Sequence, residues 1–171
     1  MDASSSLPDS LEILGSGIAS SGRISAMLEG VLMFRDFEWE QIQSLSHYVQ
    51  VYRAAPGTVL FREGKKGDYM CVVLEGRLEI RKESTRGASR IVAQALPGRS
   101  LGEMAMVDGE PRSATAVVVE PTVLAVITQE NFSSMMRDKP ALAGKMLLRI
   151  AQLLSQRLRQ TSGILVDYLE G

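Results

Sequence analysis

Three stretches of different hydrophobic period divide the chain. In the first, residues 23 to 50, Ile24, Met27, Leu28 and Val31 recur at the spacing of one helical face. A second helix is expected from about Glu38 to Tyr48, capped by Asp36, with Trp39, Ile42, Leu45 and Val49 turned inward. Phe34, Phe37 and Trp39 read as core aromatics, and His47 falls on the polar side of that helix.

From residue 51 to 128 the helical period is lost. Apolar or β-branched runs stand at Val49-Val51, Thr58-Phe61, Tyr69-Leu74, Leu78-Arg81, Arg90-Ala95, Ser113-Val119 and Val123-Ile127. Turn signals divide them at Pro56-Gly57, Glu63-Gly64, Gly67-Asp68, Glu75-Gly76, Gly87 and Pro97-Gly98. Many short strands between glycine turns predict an antiparallel barrel or sandwich of jelly-roll type.

The third stretch is helical again. A short helix over Gln129-Met136 breaks near Lys139-Pro140. A long amphipathic helix then spans 140–169, with Leu142, Met146, Ile150, Leu153, Leu154, Leu158 and Leu165 along its seam. This helix is longer than a small barrel can cover, so its second half is expected to pair with a second copy in a homodimer. Residues 1–22, rich in Ser and Gly, read as a flexible N-terminal arm, with Leu11, Ile13 and Leu14 its only apolar patch. Residues 23–171 make the domain.

Composition narrows the function classes. The 171 residues suffice for one domain with a real core, and the apolar share of 45% is ordinary. A net charge of −1 and a pI near 5.9 give no electrostatic footprint for nucleic acid. One histidine and one cysteine exclude a His-cluster metal site and an internal disulfide framework, and His47, outside the strand runs, argues against a Ser/His/Asp arrangement. Cys71 lies in an apolar run and reads as a buried, inert thiol. Met1-Asp2-Ala3-Ser4-Ser5-Ser6 lacks the basic and apolar regions of a signal peptide, and no apolar run nears the ~20 residues that span a bilayer. A cytoplasmic protein without membrane contact is expected, and it is expected not to be an enzyme.

The chemistry concentrates between Pro97 and Thr115. A Pro-Gly turn leads to a short apolar segment that starts with a carboxylate, Glu103-Met104-Ala105-Met106-Val107, long enough for one to two helical turns. Gly109 and Pro111 stop it, and Arg112 heads the next strand run. A helix start favours an anion, the bare backbone of Gly102 allows close approach, and the planar fork of Arg112 matches phosphate oxygens. Glu103 is an acceptor for sugar hydroxyls. One phosphate, one ribose and an apolar slot for a base fit this set. Read alone, Arg112 is as well a surface arginine paired with Glu103 or Glu110.

Gly102-Glu103-Met104-Ala105 followed by Pro111-Arg112-Ser113-Ala114-Thr115 resembles the phosphate-binding cassette of cyclic nucleotide-binding domains. These domains occur in bacterial catabolite activators, protein kinase regulatory subunits and cyclic nucleotide-gated channels. Gly57-Thr58-Val59-Leu60-Phe61-Arg62-Glu63-Gly64, Gly67-Asp68 and Leu74-Glu75-Gly76-Arg77-Leu78 are similar to the opening strands of that family, where the glycines turn barrel corners. The resemblance covers about residues 31 to 160. Leu101 stands where the family often has Phe, and Met33 separates Leu32 from Phe34, where the family often has Leu directly followed by Phe.

The resemblance implies a mainly β fold: an antiparallel jelly-roll barrel with N-terminal helices and a long C-terminal helix. It implies a ligand site at Leu101, Gly102, Glu103, Met104, Ala105, Arg112, Ser113 and Ala114. Arg112, Ser113 and the Ala105 N–H would hold the phosphate, and Glu103 the ribose 2′-hydroxyl. Val92, Leu101 and Ala114 would wall the base, while Met104 and Met106 read as core. Ser113 matches bacterial cAMP-binding activators, so cAMP is the expected ligand, with cGMP or cyclic di-GMP as alternatives; no further cofactor is implied. The expected function is a sensor that signals by moving its C-terminal helix to an unknown protein partner. It is expected to carry no DNA-binding domain of its own, since the chain ends one helix past the strands. A ligand-independent interaction module is the rival reading.

Overall fold

Strands β4 (Tyr69–Glu75) and β9 (Thr122–Thr128) are buried along almost their whole length and pair antiparallel at the centre of the larger sheet. Both are near-continuous apolar runs, as strands covered on two faces must be. The computed structural model describes residues 7–84 and 87–170. Around these two strands the larger sheet runs β1 (Glu12–Ser16), β2 (Gln50–Ala54), β9, β4 and β7 (Ser100–Leu101). The smaller sheet runs β3 (Val59–Phe61), β8 (Thr115–Val118), β5 (Leu78–Glu83) and β6 (Ser89–Ala95). All pairings are antiparallel.

One core joins the inner faces. Tyr52, Tyr69, Cys71, Val73, Leu101, Leu124 and Val126 of the larger sheet meet Leu60, Leu78, Ala95, Ala116 and Val118 of the smaller. The class is the expected one, but the expected barrel is not closed. Among the described residues no strand pairing joins the two sheets. The larger sheet ends in β1 and the two-residue β7, the smaller in β3 and a β6 that is exposed except at Ala95.

The seven strand runs expected between 49 and 127 each carry a strand, and two further strands appear. β7 is too short to leave a pattern. β1 corrects the arm expected over 1–22: Glu12–Ser16 pairs with β2, and helix α1 (Ser21–Leu28) already begins at Ser21. Its Ser- and Gly-rich sequence is weak in β-propensity, and the ladder to β2 supplies what propensity does not. Residues 1–6 of that arm lie outside the described residues.

Helix α2 (Trp39–Ser46) is capped by Glu38, not by Asp36. The Glu38 side chain accepts from the third-residue N–H, and Gln41 Oε1 accepts from the Glu38 N–H at 3.0 Å. Trp39, expected inside, stands at the first helical position and is 45% exposed. Phe34 is buried, Phe37 half-buried and His47 exposed. Helix α3 (Glu103–Asp108) occupies the expected segment between Gly102 and Gly109.

The chain divides into two compact units, the first ending at Ser134 and the second beginning at Met135. In the first, the Thr128 hydroxyl caps helix α4 (Gln129–Asp138), and Asn131 donates to the Tyr48 carbonyl. The second contains the end of α4 and helix α5 (Pro140–Glu170). Along α5, Leu142, Ala143, Met146 and Ile150 are buried, whereas Leu158, Ile164, Leu165 and Val166 are exposed. Among the described residues no helix is long and apolar enough to cross a membrane.

Candidate functional site

Strand pairing brings four separate segments to Arg112. β3 pairs β8 through Val59–Val117 and Phe61–Ala116, which sets Phe61 beside the chain entering β8. The Arg112 N–H donates to the Lys65 carbonyl at 2.7 Å, and the Arg112 carbonyl accepts from the Gly64 N–H at 2.8 Å. The backbone of Arg112 is thereby locked against the turn after β3. The Thr115 hydroxyl accepts from the Glu63 N–H at 3.0 Å and extends the same clamp. On the other side β4 pairs β7 through Cys71–Leu101, which fixes the chain leading into Gly102 and α3 against Tyr69 and Cys71.

Arg112 is only 3% exposed, although arginine is almost never fully buried unless paired. Its Nη1 donates to the Gly102 carbonyl at 3.1 Å. Its guanidinium carbon lies 4.3 Å from the centroid of the Phe61 ring and 4.6 Å from that of Tyr69. The two rings meet edge to face with centroids 6.3 Å apart and planes inclined at 66°, so the cation sits in an aromatic corner. Two glycines make room for it. A Cβ on Gly67 would stand 2.5 Å from Arg112 Nε, and one on Gly102 would fall on Nη1. Gly102 also has φ +77°, a conformation glycine adopts without strain.

What remains of the fork is its side edge. Nε and Nη2 are buried and have no hydrogen-bond partner among the described residues. Together they form one bidentate edge, the geometry that fits two oxygens of a phosphate or carboxylate. A buried donor left unmet costs roughly 1–3 kcal/mol, and more when charged, so this edge is chemically suited to an anion.

The electrostatics agree. Burial pulls the Arg112 guanidinium below its usual range, while Tyr69, Cys71, Asp68 and Glu103 push the other way. Glu103, 2% exposed in the first turn of α3, is near enough to favour the Arg112 charge. Burial drives the Tyr69 phenol well above its ordinary value, and its hydroxyl donates to the Leu60 carbonyl at 2.7 Å. Burial pushes the Cys71 thiol up to about 12; Arg112 lowers it and Glu103 raises it further. Cys71 is buried, as its apolar run implies.

The structure brings most of the eight expected residues to one place. Leu101, Glu103, Ala105 and Arg112 are buried, Gly102 and Ala114 half-buried, and Ser113 exposed. Met104, expected in the core, is 46% exposed, and its sulfur lies 3.8 Å from the Ser113 hydroxyl. A six-residue helix has too few turns for its inner face to be read from spacing. Met106 is half-buried, and Val92 is exposed on β6. Phe61, Tyr69 and Gly67 were not legible as site residues. Phe61 and Tyr69 read as strand residues and Gly67 as a turn, and only the β3–β8 and β4–β7 pairings show that all three surround Arg112.

The cyclic nucleotide-binding domain family matches residues 52–139, a span that contains this whole arrangement. A cyclic nucleotide-binding domain from Methylobacillus flagellatus superposes with a TM-score of 0.80 at 31% identity, covering 92% of this chain and 89% of that one. The cyclic AMP receptor protein of Thermus thermophilus is 29% identical over 133 residues, which is 78% of this chain and 60% of the receptor. The regulatory subunit of a cAMP-dependent protein kinase from Yarrowia lipolytica is 27% identical over 145 residues, 81% of this chain and 37% of that protein. The chain thus spans 60% or less of the length of these two curated relatives. By the family match across the Arg112 site and by its likeness to the Methylobacillus domain, the chain belongs to the cyclic nucleotide-binding domain family.

Proposed function

We propose that the chain is a sensor domain for a cyclic mononucleotide, cAMP. One observation carries the reading: a buried arginine whose Nε and Nη2 present an unmet bidentate edge. The cyclic phosphate binds that edge, with the Ser113 hydroxyl and the Ala105 N–H completing its cage. Glu103 accepts the ribose 2′-hydroxyl. Gly102 admits the ligand to the backbone, and Leu101, Met104 and Ala114 supply apolar wall. The names of the receptor protein and the kinase regulatory subunit support adenine as the base.

No bond is made or broken in this function. Binding is read out as a change in the position of α5, and ligand drives that change only by its differential affinity for two arrangements. The exposed apolar second half of α5 supports a homodimer, and a free, buried Cys71 supports a reducing cytoplasmic setting.

Titration calorimetry of the protein with cAMP, cGMP and cyclic di-GMP tests the reading, with Arg112→Ala alongside. The expected result is micromolar or tighter binding of cAMP, weakened about a hundredfold or more in the variant. Unchanged affinity in Arg112→Ala removes the assignment, and preference for another of the three ligands replaces the base.

A further inference from the structure

We infer that Phe61 and Tyr69 are positioning residues that hold Arg112 with its bidentate edge turned to the ligand phosphate. The inference rests on the cyclic-nucleotide reading of the same site and adds two residues to it. Arginine has several rotatable bonds, and fixing it in one geometry carries an entropic cost that weakens binding unless it is met beforehand. Here it is met on several sides. Nη1 is held by the Gly102 carbonyl at 3.1 Å. The plane is set by two rings at 4.3 and 4.6 Å. Backbone bonds to Lys65 and Gly64 fix the root of the side chain. Nε and Nη2 are left over.

The aromatic corner is itself anchored. Tyr69 is 2% exposed, and its hydroxyl donates to Leu60, the residue before Phe61. That bond ties the two rings together across β3 and β4. The rings also compensate a desolvated cation electrostatically, which an aliphatic lining does not. Phe61 is half-buried at the edge of the core, so substitution there spares the centre of the fold.

The test uses cAMP as the probe and four single variants: Phe61→Tyr, Phe61→Trp, Phe61→Leu and Phe61→Met. Affinity is expected to hold in the two aromatic variants and to fall about tenfold in the two aliphatic ones. Melting temperatures identify any variant whose loss is one of folding. A packing role predicts that Leu and Met, which fill similar apolar volume, both keep binding; that outcome overturns the inference. A second measurement needs no ligand. In the free protein the Arg112 Nε–H signal in a proton–nitrogen NMR spectrum is expected upfield, from the ring currents, and slow to exchange. It is expected to move downfield and exchange faster in Phe61→Leu but not in Phe61→Tyr. An identical signal in Phe61→Leu overturns the inference. If the wild type binds no cyclic nucleotide, the sensor reading fails, and the NMR signal still decides whether the rings position Arg112.

Discussion

The Gly102 carbonyl accepts from Arg112 Nη1 at 3.1 Å, and a side chain on Gly102 would occupy the place of that same nitrogen. The start of α3 and the arginine three residues ahead of β8 are therefore joined directly. Gly102→Ala meets two obstacles, the positive φ of +77° and the guanidinium itself. It is expected to destabilise the fold by about 2–4 kcal/mol and to remove cAMP binding. Gly109→Ala is the control: φ is +72°, but nothing stands within 4 Å of the new Cβ. It is expected to cost about 1 kcal/mol and to leave affinity unchanged. Thermal melting with calorimetry separates the two, and equal effects at both positions would remove Gly102 from the site.

Arg112→Lys keeps the charge and discards the fork. A lysine ammonium is a compact point charge, more strongly hydrated than guanidinium and without a bidentate edge. Placed in the aromatic corner it loses its hydration and gains at most one bond to the phosphate. Affinity for cAMP is expected to fall about a hundredfold, close to the loss in Arg112→Ala. Affinity within fivefold of the wild type would mean that charge alone binds the phosphate.

The cassette was legible because its signals are local. Gly102, Gly109 and Pro111 bracket α3 in the sequence as they do in the fold, and Arg112 follows at fixed distance. The aromatic corner was not, since Phe61 and Tyr69 reach Arg112 only through the β3–β8 and β4–β7 ladders. No one-dimensional period reports such a meeting. β1 was hidden for a related reason: Glu12–Ser16 is a strand because β2 lies beside it, not because its residues favour one. Trp39 failed differently. Helical spacing places it on the face of Ile42 and Leu45, but at the first helical position, next to the Glu38 capping box, it is 45% exposed.

Cys71 and pH are linked through burial. The folded thiol titrates at about 12, whereas an unfolded one titrates near 8.5. A raised folded value means its contribution is complete below about pH 8.5 and is lost as pH rises toward 12. The expected loss is about 1.4 kcal/mol per pH unit across that window. Tyr69, raised by burial as well, adds to the slope above about pH 10. Between pH 7.5 and 10 the wild type should lose about 2 kcal/mol more than Cys71→Ala, read from urea unfolding. Parallel pH dependences in the two proteins would show that the thiol is not buried in solution.

The length and exposure of α5 set the last test. Its 31 residues extend about 46 Å. Leu142, Met146 and Ile150 are buried in its first half, but Leu158 and Leu165 are 68% and 56% exposed. Leu147, Leu154, Leu158 and Leu165 follow the alternating spacing of a coiled-coil seam, and their neighbours Gln156, Arg157, Arg159 and Gln160 are polar. An apolar seam bounded by polar residues is stable in water when a second helix covers it, and an identical helix matches it in length and register. The protein is therefore expected to sediment as a dimer at tens of micromolar. Leu158→Asp places a charge in the middle of the seam and is expected to yield monomers while far-ultraviolet circular dichroism keeps its helical signal. Because Leu158 is far along the chain from Arg112, the monomer should still bind cAMP, so assembly and ligand recognition separate in one variant. A wild-type monomer, or a dimer that survives Leu158→Asp, would mean that this seam is not where two copies meet.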